Sequence, residues 1–476
     1  MKWSWPGKWW TAATSDPLEY RNFQYPHGIH RMPLPARLSF AGASDTHCIA
    51  VRQGEAAMVG QVLAIPLGDH HVPLLAPVDA TVRILTQDRG SFRIHLQPST
   101  AAIAAEAVER HDSLTLASLV RQVRRAGVAG MGGAGFATHR KLALAAAAGV
   151  HTLIINAAEC EPGLASDAYL LRYDAGRVAL GVRALRRALS LNRVVLAAKQ
   201  AYRIAGVECV RAASNYPAGD ERVLVRQITG KQPMGALRPI DMGVVVFNAA
   251  TVAAIGDAVR NKPLVHRLVS VRGPAVRQPR VLQVLLGTPF EDVLAACGTV
   301  ASGLRILEGG PIMGRPVEPD DGIGPATTGV WAEPPGGQPV RYPCIRCGLC
   351  VDACPMDLHP QAIWAASTKQ ALGEATLDDK ALTLRAVDGC TGCRACDLVC
   401  PSHIALASRF LALQNSRRQQ AAARKAASAA LARFKAHQAR ALSRQARARA
   451  GVRQGNESAA DIHAVLAAAK RRRGRS

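Results

Sequence analysis

The sequence predicts a mixed α/β chain of several domains, on three observations. Short β-runs broken by Gly, Pro and Asp fill residues 39–96, strands alternate with helices around a glycine-rich loop in 113–260, and two cysteine runs at 344–354 and 390–400 demand a small metal-bearing unit. The 476 residues have room for about three domains of ordinary size. The boundaries read as a Trp-rich segment 1–38, a barrel-sandwich-like β domain 39–112, an α/β domain 113–260 and a small α+β, β-grasp-like module 261–310. A Gly/Pro-rich linker 311–340, an α-helical ferredoxin-like domain 341–410 and a basic Ala/Arg-rich tail 411–476 follow.

The cysteine runs carry the most chemistry. Each reads C-x2-C-x2-C-x3-C-P: Cys344, Cys347, Cys350 and Cys354 before Pro355, then Cys390, Cys393, Cys396 and Cys400 before Pro401. In such a run three thiolates hold three corners of a cubane and the fourth cysteine ligates the other cluster. One [4Fe-4S] cluster is therefore assigned Cys344, Cys347, Cys350 and Cys400, the other Cys354, Cys390, Cys393 and Cys396. Disulfides fit poorly, because MKWSWPGKWW has no apolar core of a secretory signal, and paired zinc sites do not call for tandem triplets each closed by Cys-Pro. Two adjacent clusters make a path for single electrons. The remaining cysteines, Cys48, Cys160, Cys209 and Cys297, are scattered singly, as in reduced cytosolic chains.

Charge is unevenly placed. Of the formal +24, residues 401–476 supply +15, from 17 Lys and Arg against 2 acids. With few large apolar residues after Phe410, the tail is expected to be a solvated helix or a disordered segment. Its charge suits anionic lipid headgroups, at roughly 1 kcal/mol per basic residue near the surface. A nucleic-acid partner is not expected, since the rest of the chain has no recognition module. No run of eighteen apolar residues occurs, so no membrane span is expected.

Among the remaining segments, Trp3, Trp5, Trp9 and Trp10 beside Lys2 and Lys8 offer an aromatic surface for a partner or a lipid interface, or a cap over the core. The turn APVDATV has the form of a biotinyl or lipoyl tip, but Asp79-Ala80 stands where the carrier lysine would be, so no attached cofactor is expected. Ser113–Arg125 reads as a helix with Ser113 as N-cap, running into AGVAGMGGAGFATHRKL. Glycines 127, 130, 132, 133 and 135 free that backbone to approach a ligand, and the helix after Phe136 offers its N-terminus to an anion. A tight packing turn is the plainer alternative.

Beyond it, VHTLIIN is a buried strand ending at Asn156, followed by the acidic loop of Glu159 and Glu161. A helix over 166–189, a strand over 193–198 and a helix to about residue 213 come next, then YPAGDERVLVRQITGK and the strand MGVVVFN breaking at Asn248 into a helix. Strands alternating with helices imply a parallel sheet whose ligand lies at the carboxyl ends of the strands. Carboxylates repel phosphate, so Glu161 and Glu221 fit best as acceptors for ribose hydroxyls or an amide, or else as helix caps.

Taken together, PHGIHRMPLP, GMGGAGFATHRKL, NAAECEP, YPAGDE, GGPIMG and both cysteine runs resemble the C subunit of the Rnf-type ion-translocating electron-transport complex, a family related to the flavin-bearing NADH-oxidising subunit of respiratory complex I. The likeness runs from about Tyr25 to Phe410. It implies a complex I flavoprotein-like α/β domain in which the glycine loop cradles FMN phosphate, the following lysine and the first asparagine help hold the flavin, and later acids meet NADH. By motif position this implicates Gly132, Gly133, Gly135, Phe136, Lys141, Asn156, Glu159, Glu161, Gly219, Asp220, Glu221 and Asn248. Ala158, Phe247 and Ala137 depart from the complex I pattern, which has an aspartate, an asparagine and a proline there, so a thinner set of FMN contacts is expected.

The resemblance also implies the function. The chain would be an NADH-dependent oxidoreductase subunit of a translocase, peripheral on the cytoplasmic face of the bacterial inner membrane. Its partners would be NAD(H), the other subunits of the complex, ferredoxin indirectly, and an anionic membrane surface through the tail. Nicotinamide exchanges electrons in pairs and iron–sulfur clusters singly, so a flavin between them is a chemical need. The alternatives are a soluble flavin and iron–sulfur reductase of the cobalamin-reductase kind, or a non-catalytic iron–sulfur scaffold.

Overall fold

The computed structural model describes residues 28–88, 90–99, 114–213, 215–231, 233, 237–336, 339–374, 376, 378, 381 and 389–473. The four N-terminal tryptophans and Ser113 lie outside these residues. The chain divides into two compact units, Met1–Phe410 and Leu411–Ser476.

In the first unit, strands Leu38–Ala43, Ser91–Pro98, Ala80–Asp88 and Ala56–Ala57 form one antiparallel sheet, and His47–Ile49, Val62–Pro66 and Leu74–Leu75 form another. Alternate residues such as Phe92, Ile94 and Leu96 face inward, the period of two that half-buried strands require. At the tip of the APVDATV turn, Asp79 is a structural residue whose Oδ1 accepts from the Val59 N–H at 2.7 Å.

Behind this layer lies an all-parallel sheet in the order Glu208–Arg211, Arg193–Ala198, Thr152–Ala157, Val244–Asn248. Its central strands are buried on both faces, which is why their sequences are continuously apolar. The helix Leu116–Arg125 is capped by Thr115, whose hydroxyl accepts from the Ser118 N–H at 3.2 Å. The helix expected over 166–189 is two, Ser166–Tyr173 and Ala175–Leu189, broken at Asp174. The helix expected to end near 213 is corrected to the strand Glu208–Arg211, which continues the sheet after a turn at Gly206.

The helices Ala175–Leu189 and Ala249–Ala258 cross with their backbones almost touching. A Cβ on Gly181 would lie 1.9 Å from the Val252 carbonyl oxygen, so only glycine permits the approach. One hydrophobic core runs from Leu38, Leu63 and Ile94 of the β layer through Leu119 and Val123 to Leu153 and Ile155 of the parallel sheet.

A fourth, mixed sheet has strands His30–Arg31, Arg280–Leu285, His266–Arg272, Gly329–Glu333, Arg305–Glu308 and Arg315–Pro316. This corrects the reading of 311–340 as a linker. Val330, Trp331 and Ala332 are buried, and Val330 and Trp331 pair with both flanking strands, so the Gly- and Pro-rich sequence marks tight turns inside a folded module.

The cysteine-rich part packs Cys350, Cys396, Ile363, Ile404, Leu406, Ala407 and Phe410 into a small core of its own. Between its two runs lies the helix Pro360–Leu372. A final helix, Leu406–Arg473, has 68 residues, or about 100 Å at 1.5 Å per residue. From Asn415 to Ala446 every residue of it is exposed, so this stretch buries nothing in a core. Among the described residues no helix is long and apolar enough to cross a membrane.

Candidate functional site

Parallel strands ending on one edge place their following loops side by side. Here the strand Thr152–Ala157 delivers Asn156 and the acidic loop, and Val244–Asn248 delivers Asn248. Together with the glycine loop and the YPAGDE segment they enclose a cavity of about 810 Å³. All twelve residues implicated by the sequence line it: Gly132, Gly133, Gly135, Phe136, Lys141, Asn156, Glu159, Glu161, Gly219, Asp220, Glu221 and Asn248.

The glycines divide by role. Gly127 serves packing, since a Cβ there would meet Leu75 and the Pro73 carbonyl, and the Gly130 N–H donates to the Phe136 carbonyl at 2.7 Å. Gly133 has φ +100° with open space where a side chain would point, and a Cβ on Gly132 would meet Asn248 at 3.3 Å. The helix Thr138–Ala147 that follows has Ala137 at its N-cap and no side-chain cap. Its Thr138 N–H donates to the Val128 carbonyl at 3.3 Å, and no side chain caps the positive end of its dipole. An open glycine backbone leading to an uncapped helix start fits a phosphate group.

Most of the polar side chains are held by the protein itself. Glu159 accepts from the N–H groups of Asp167 and Ala168, both at 2.9 Å, and from the Ser166 hydroxyl at 3.1 Å, so it caps the helix Ser166–Tyr173. Glu161 accepts from the N–H groups of Ile312 at 2.6 Å and Met313 at 2.9 Å, tying the GGPIMG loop over the cavity. Asp220 caps the helix Glu221–Thr229, and Asn248 caps Ala249–Ala258. Asn156 Nδ2 donates to the Gly219 carbonyl at 2.8 Å. Lys141 Nζ lies 3.3 Å from a Glu221 oxygen and 5.4 Å from the centroid of the Phe247 ring. Glu161 is thus a loop anchor, and the ring of Phe247 lies beside the Lys141 ammonium.

Burial shapes the charges. It raises the pKa of Glu159, Glu161 and Asp220 above the ordinary carboxylate range, with backbone donors opposing the shift. Asp167, which the sequence motifs do not single out, is raised well above the usual value by burial and then by Glu159. Nearby, the fully buried Arg267 donates to the carbonyls of Met131 and Leu268, each at 3.2 Å, and to that of Pro325, and burial lowers it to about 10.

The cavity's far wall belongs to the cysteine-rich part. Cys393 and Thr391 line it beside Cys160 and Tyr216. The Tyr216 hydroxyl donates to the Cys393 carbonyl at 2.5 Å, and Arg394 Nη1 donates to the Ile312 carbonyl at 3.1 Å. Tyr216 precedes the glycine and acids of YPAGDE, and Met313 lies in GGPIMG. Both belong to sequence motifs, but only the fold shows that they face this space.

The cysteines meet across the two runs. Cys354, Cys390, Cys393 and Cys396 line one small cavity, so the fourth cysteine of the first run sits with the triplet of the second. Cys350 lies near enough to Cys347 and Cys400 for each to raise its pKa, after burial itself. Among the described residues no three His, Cys, Asp or Glu converge as one bound metal ion would require. Burial pushes the Cys390 thiol up to about 11 and Cys393 to about 12. Thiolates in such a place need a cation to hold them ionised, which iron supplies on coordination. The N–H groups of Gly392 and Ile404 reach the sulfurs of Cys390 and Cys400 at 3.3 and 3.4 Å, contacts of the kind that tune cluster potentials.

Comparison with known proteins agrees with this division. The Nuo51 FMN-binding domain matches residues 123–257, and a 4Fe-4S dicluster domain matches 342–404. The C subunit of the ion-translocating oxidoreductase complex of Pseudomonas aeruginosa is 32% identical over 373 residues, covering 70% of this chain but 47% of that protein. The match thus spans about half the length of that relative. The corresponding protein of Rhodobacter capsulatus is 32% identical over 363 residues, 70% of each chain. The C subunit of the Na+-translocating ferredoxin:NAD+ oxidoreductase complex of Acetobacterium woodii is 28% identical over 338 residues, 65% of this chain and 76% of that one. A solved NAD+-reducing [NiFe]-hydrogenase in the H2-reduced state aligns over 63% of this chain and 60% of its own, with TM-score 0.42 and 20% identity. With an FMN-binding domain, a 4Fe-4S dicluster domain and a Rhodobacter relative matched over most of its length, the chain belongs to the C-subunit family of ion-translocating oxidoreductase complexes.

Proposed function

We propose that this chain is the peripheral, NADH-facing subunit of a membrane-bound ion-translocating electron-transport complex, passing electrons between NADH and ferredoxin by way of FMN and two [4Fe-4S] clusters. The observation that carries the proposal is that one cavity gathers all twelve implicated residues and is walled on its far side by Cys393. When bound, FMN supplies the exchange between the paired electrons of nicotinamide and the single electrons of clusters.

The residues divide the work. Gly132, Gly133, Gly135 and the start of the helix Thr138–Ala147 would take the phosphate, with Lys141 as the nearby cation. Phe136, 42% exposed at the cavity, offers an apolar face to a ring. Asn156, Asn248, Gly219 and Asp220 fix the floor through their mutual hydrogen bonds and caps, and Glu159 and Glu161 hold the helix and loop that close over it. Glu221, on the rim and paired with Lys141, is the carboxylate placed to accept from a nicotinamide nucleotide. The two cysteine sets, Cys344, Cys347, Cys350, Cys400 and Cys354, Cys390, Cys393, Cys396, would hold the clusters.

The tail is the membrane contact in this reading. Its charge is spread around a solvated helix, which suits headgroup binding through charge more than burial of an apolar face. The location is the cytoplasmic face of the inner membrane, with the other subunits of the complex as partners.

Anaerobic purification and reconstitution, followed by flavin analysis and titration with NADH, tests the reading. About one FMN per chain, and bleaching of the iron–sulfur absorbance by NADH, are expected. A chain that retains no FMN, or clusters that NADH leaves oxidised, would overturn it. Washing membranes with salt should release the protein; solubility indifferent to salt would favour a soluble reductase.

A further inference from the structure

Oxidation of NADH to NAD+ gives up two electrons and one proton, and iron–sulfur clusters accept electrons alone. In the function proposed above, one proton per NADH must therefore leave the redox cavity, and in the reverse direction one must enter. Asp167, 6% exposed, lines that cavity and also a second, smaller one behind it.

The second cavity measures about 20 Å³, room for about one water, and Ser166, Asp167, Arg177, His266 and Arg267 give it polar walls. It lies between the helices Ser166–Tyr173 and Ala249–Ala258 and the strand His266–Arg272. Asp167 is its wall toward the redox cavity, and the half-buried His266 and Arg177 are its wall toward solvent. The Arg177 Nε donates to Asp257 Oδ2 at 2.9 Å, which holds that wall in place.

The charges around the two ends suit a proton in transit. Asp167 Oδ2 accepts from the Asn248 amide, and the Glu159 carboxylate and the Arg267 guanidinium act on it from either side. Arg267 is committed to the carbonyls of Met131, Leu268 and Pro325, so it is a fixed charge and not a proton carrier. Burial and Glu159 favour the protonated carboxyl while Arg267 restrains the shift, so the proton is held but can be given up. His266 is faced by Arg177, Asp257, Arg31 and Lys262. Burial and Arg177 lower it to about 4, so its ring is neutral at neutral pH and able to accept.

We propose that Asp167 and His266, acting across the small cavity, carry the proton between the redox cavity and solvent. The inference rests on the function proposed above. The O–H bond of Asp167 breaks and an N–H bond forms on His266, over one water. His266 then releases a proton to solvent, and the carboxylate regains one from the redox cavity. The net change is one proton moved outward, with no electron taken or given, and the steps reverse when NAD+ is reduced.

The test uses the full reconstituted chain, with ferricyanide as an acceptor of electrons alone. Asp167→Asn keeps the size of the side chain but carries no acidic proton. It should slow NADH oxidation at least tenfold and raise the solvent deuterium isotope effect, with flavin and iron content and the Kd for NAD+ unchanged. His266→Ala should slow oxidation several-fold, and added imidazole should restore most of the loss, which a merely structural histidine would not show. Apart from turnover, infrared difference spectra between the electrochemically reduced and oxidised chain should contain a protonated-carboxyl band that Asp167→Asn removes. Unchanged rates in both variants, no rescue by imidazole, or a carboxyl band that survives in Asp167→Asn would overturn the proposal. If Asp167→Asn loses its flavin, His266→Ala decides, since His266 does not line the redox cavity. Failure of NADH to bleach the unmodified chain would instead count against the proposed function, and the electrochemical infrared comparison would still decide the part of Asp167.

Discussion

The hydroxyl of Tyr216 donates a 2.5 Å hydrogen bond to the backbone carbonyl of Cys393, joining the wall of the cavity to the second cysteine run. Tyr216 is buried and packs with Ile312 and Ala395, so the contact is shielded from water and ties the cavity wall to the second cysteine run. Tyr216→Phe keeps the ring and removes the donor. It should cost about 1–3 kcal/mol, because a buried carbonyl is left unpaired. Chemical denaturation measures that cost, and a slower appearance of the cluster EPR signal after mixing with NADH would report the loosened junction.

The glycine cradle gives a separable pair. Gly133 has φ +100° and open space beside it, whereas a Cβ on Gly132 would press on Asn248. Gly133→Ala should strain the backbone by roughly 1–2 kcal/mol and lower FMN affinity at least tenfold. Flavin fluorescence after gel filtration of the reconstituted chain reads the occupancy, and unchanged retention would remove the loop from the phosphate site.

Asp167 sets a pH dependence. Its carboxyl is raised well above the ordinary 3.8 by burial and by Glu159, so the folded chain holds a proton that the unfolded chain releases. Between 3.8 and the raised value the native state binds more protons, and stability must fall as pH rises through that window. Unfolding by urea at about pH 5 and about pH 7 should show the decline, and Asp167→Asn, which keeps the contact with Asn248, should make it shallower. A curve that steepens would contradict the assignment.

Crossed ligation predicts an unequal loss. Cys354 lines the same cavity as Cys390, Cys393 and Cys396, although it belongs to the other run. Cys354→Ser should therefore remove about half the bound iron and spare the signal of the cluster held by Cys344, Cys347, Cys350 and Cys400. Loss of the first cluster alone would mean that each run closes on itself.

Much of the site is legible in the chain because spacing carries it. The cysteine sets follow from Cys-Pro endings, and Asn156 and Asn248 from apolar strands that stop at a polar residue. Other features depend on contacts distant in sequence. Glu161 reads as a ligand in NAAECEP, but it holds the N–H groups of Ile312 and Met313, 151 and 152 positions away. Asp167 and Arg267 have no local pattern that marks them as buried. The segment 311–340 reads as a linker because glycine and proline signal turns equally well inside a sheet, and only its pairing with His266–Arg272 and Arg305–Glu308 reveals the strand. The strand after residue 198 escapes detection because ECVR is short, of mixed polarity and carries little periodicity.

The β layer of residues 38–98 contributes no side chain to the cavity, yet Leu38, Leu63 and Ile94 share their core with Leu119 and Leu153. It is therefore the keel of the redox domain. Melting it would take the parallel sheet along, and the nucleotide pocket would lose its shape from behind, with none of its own residues altered.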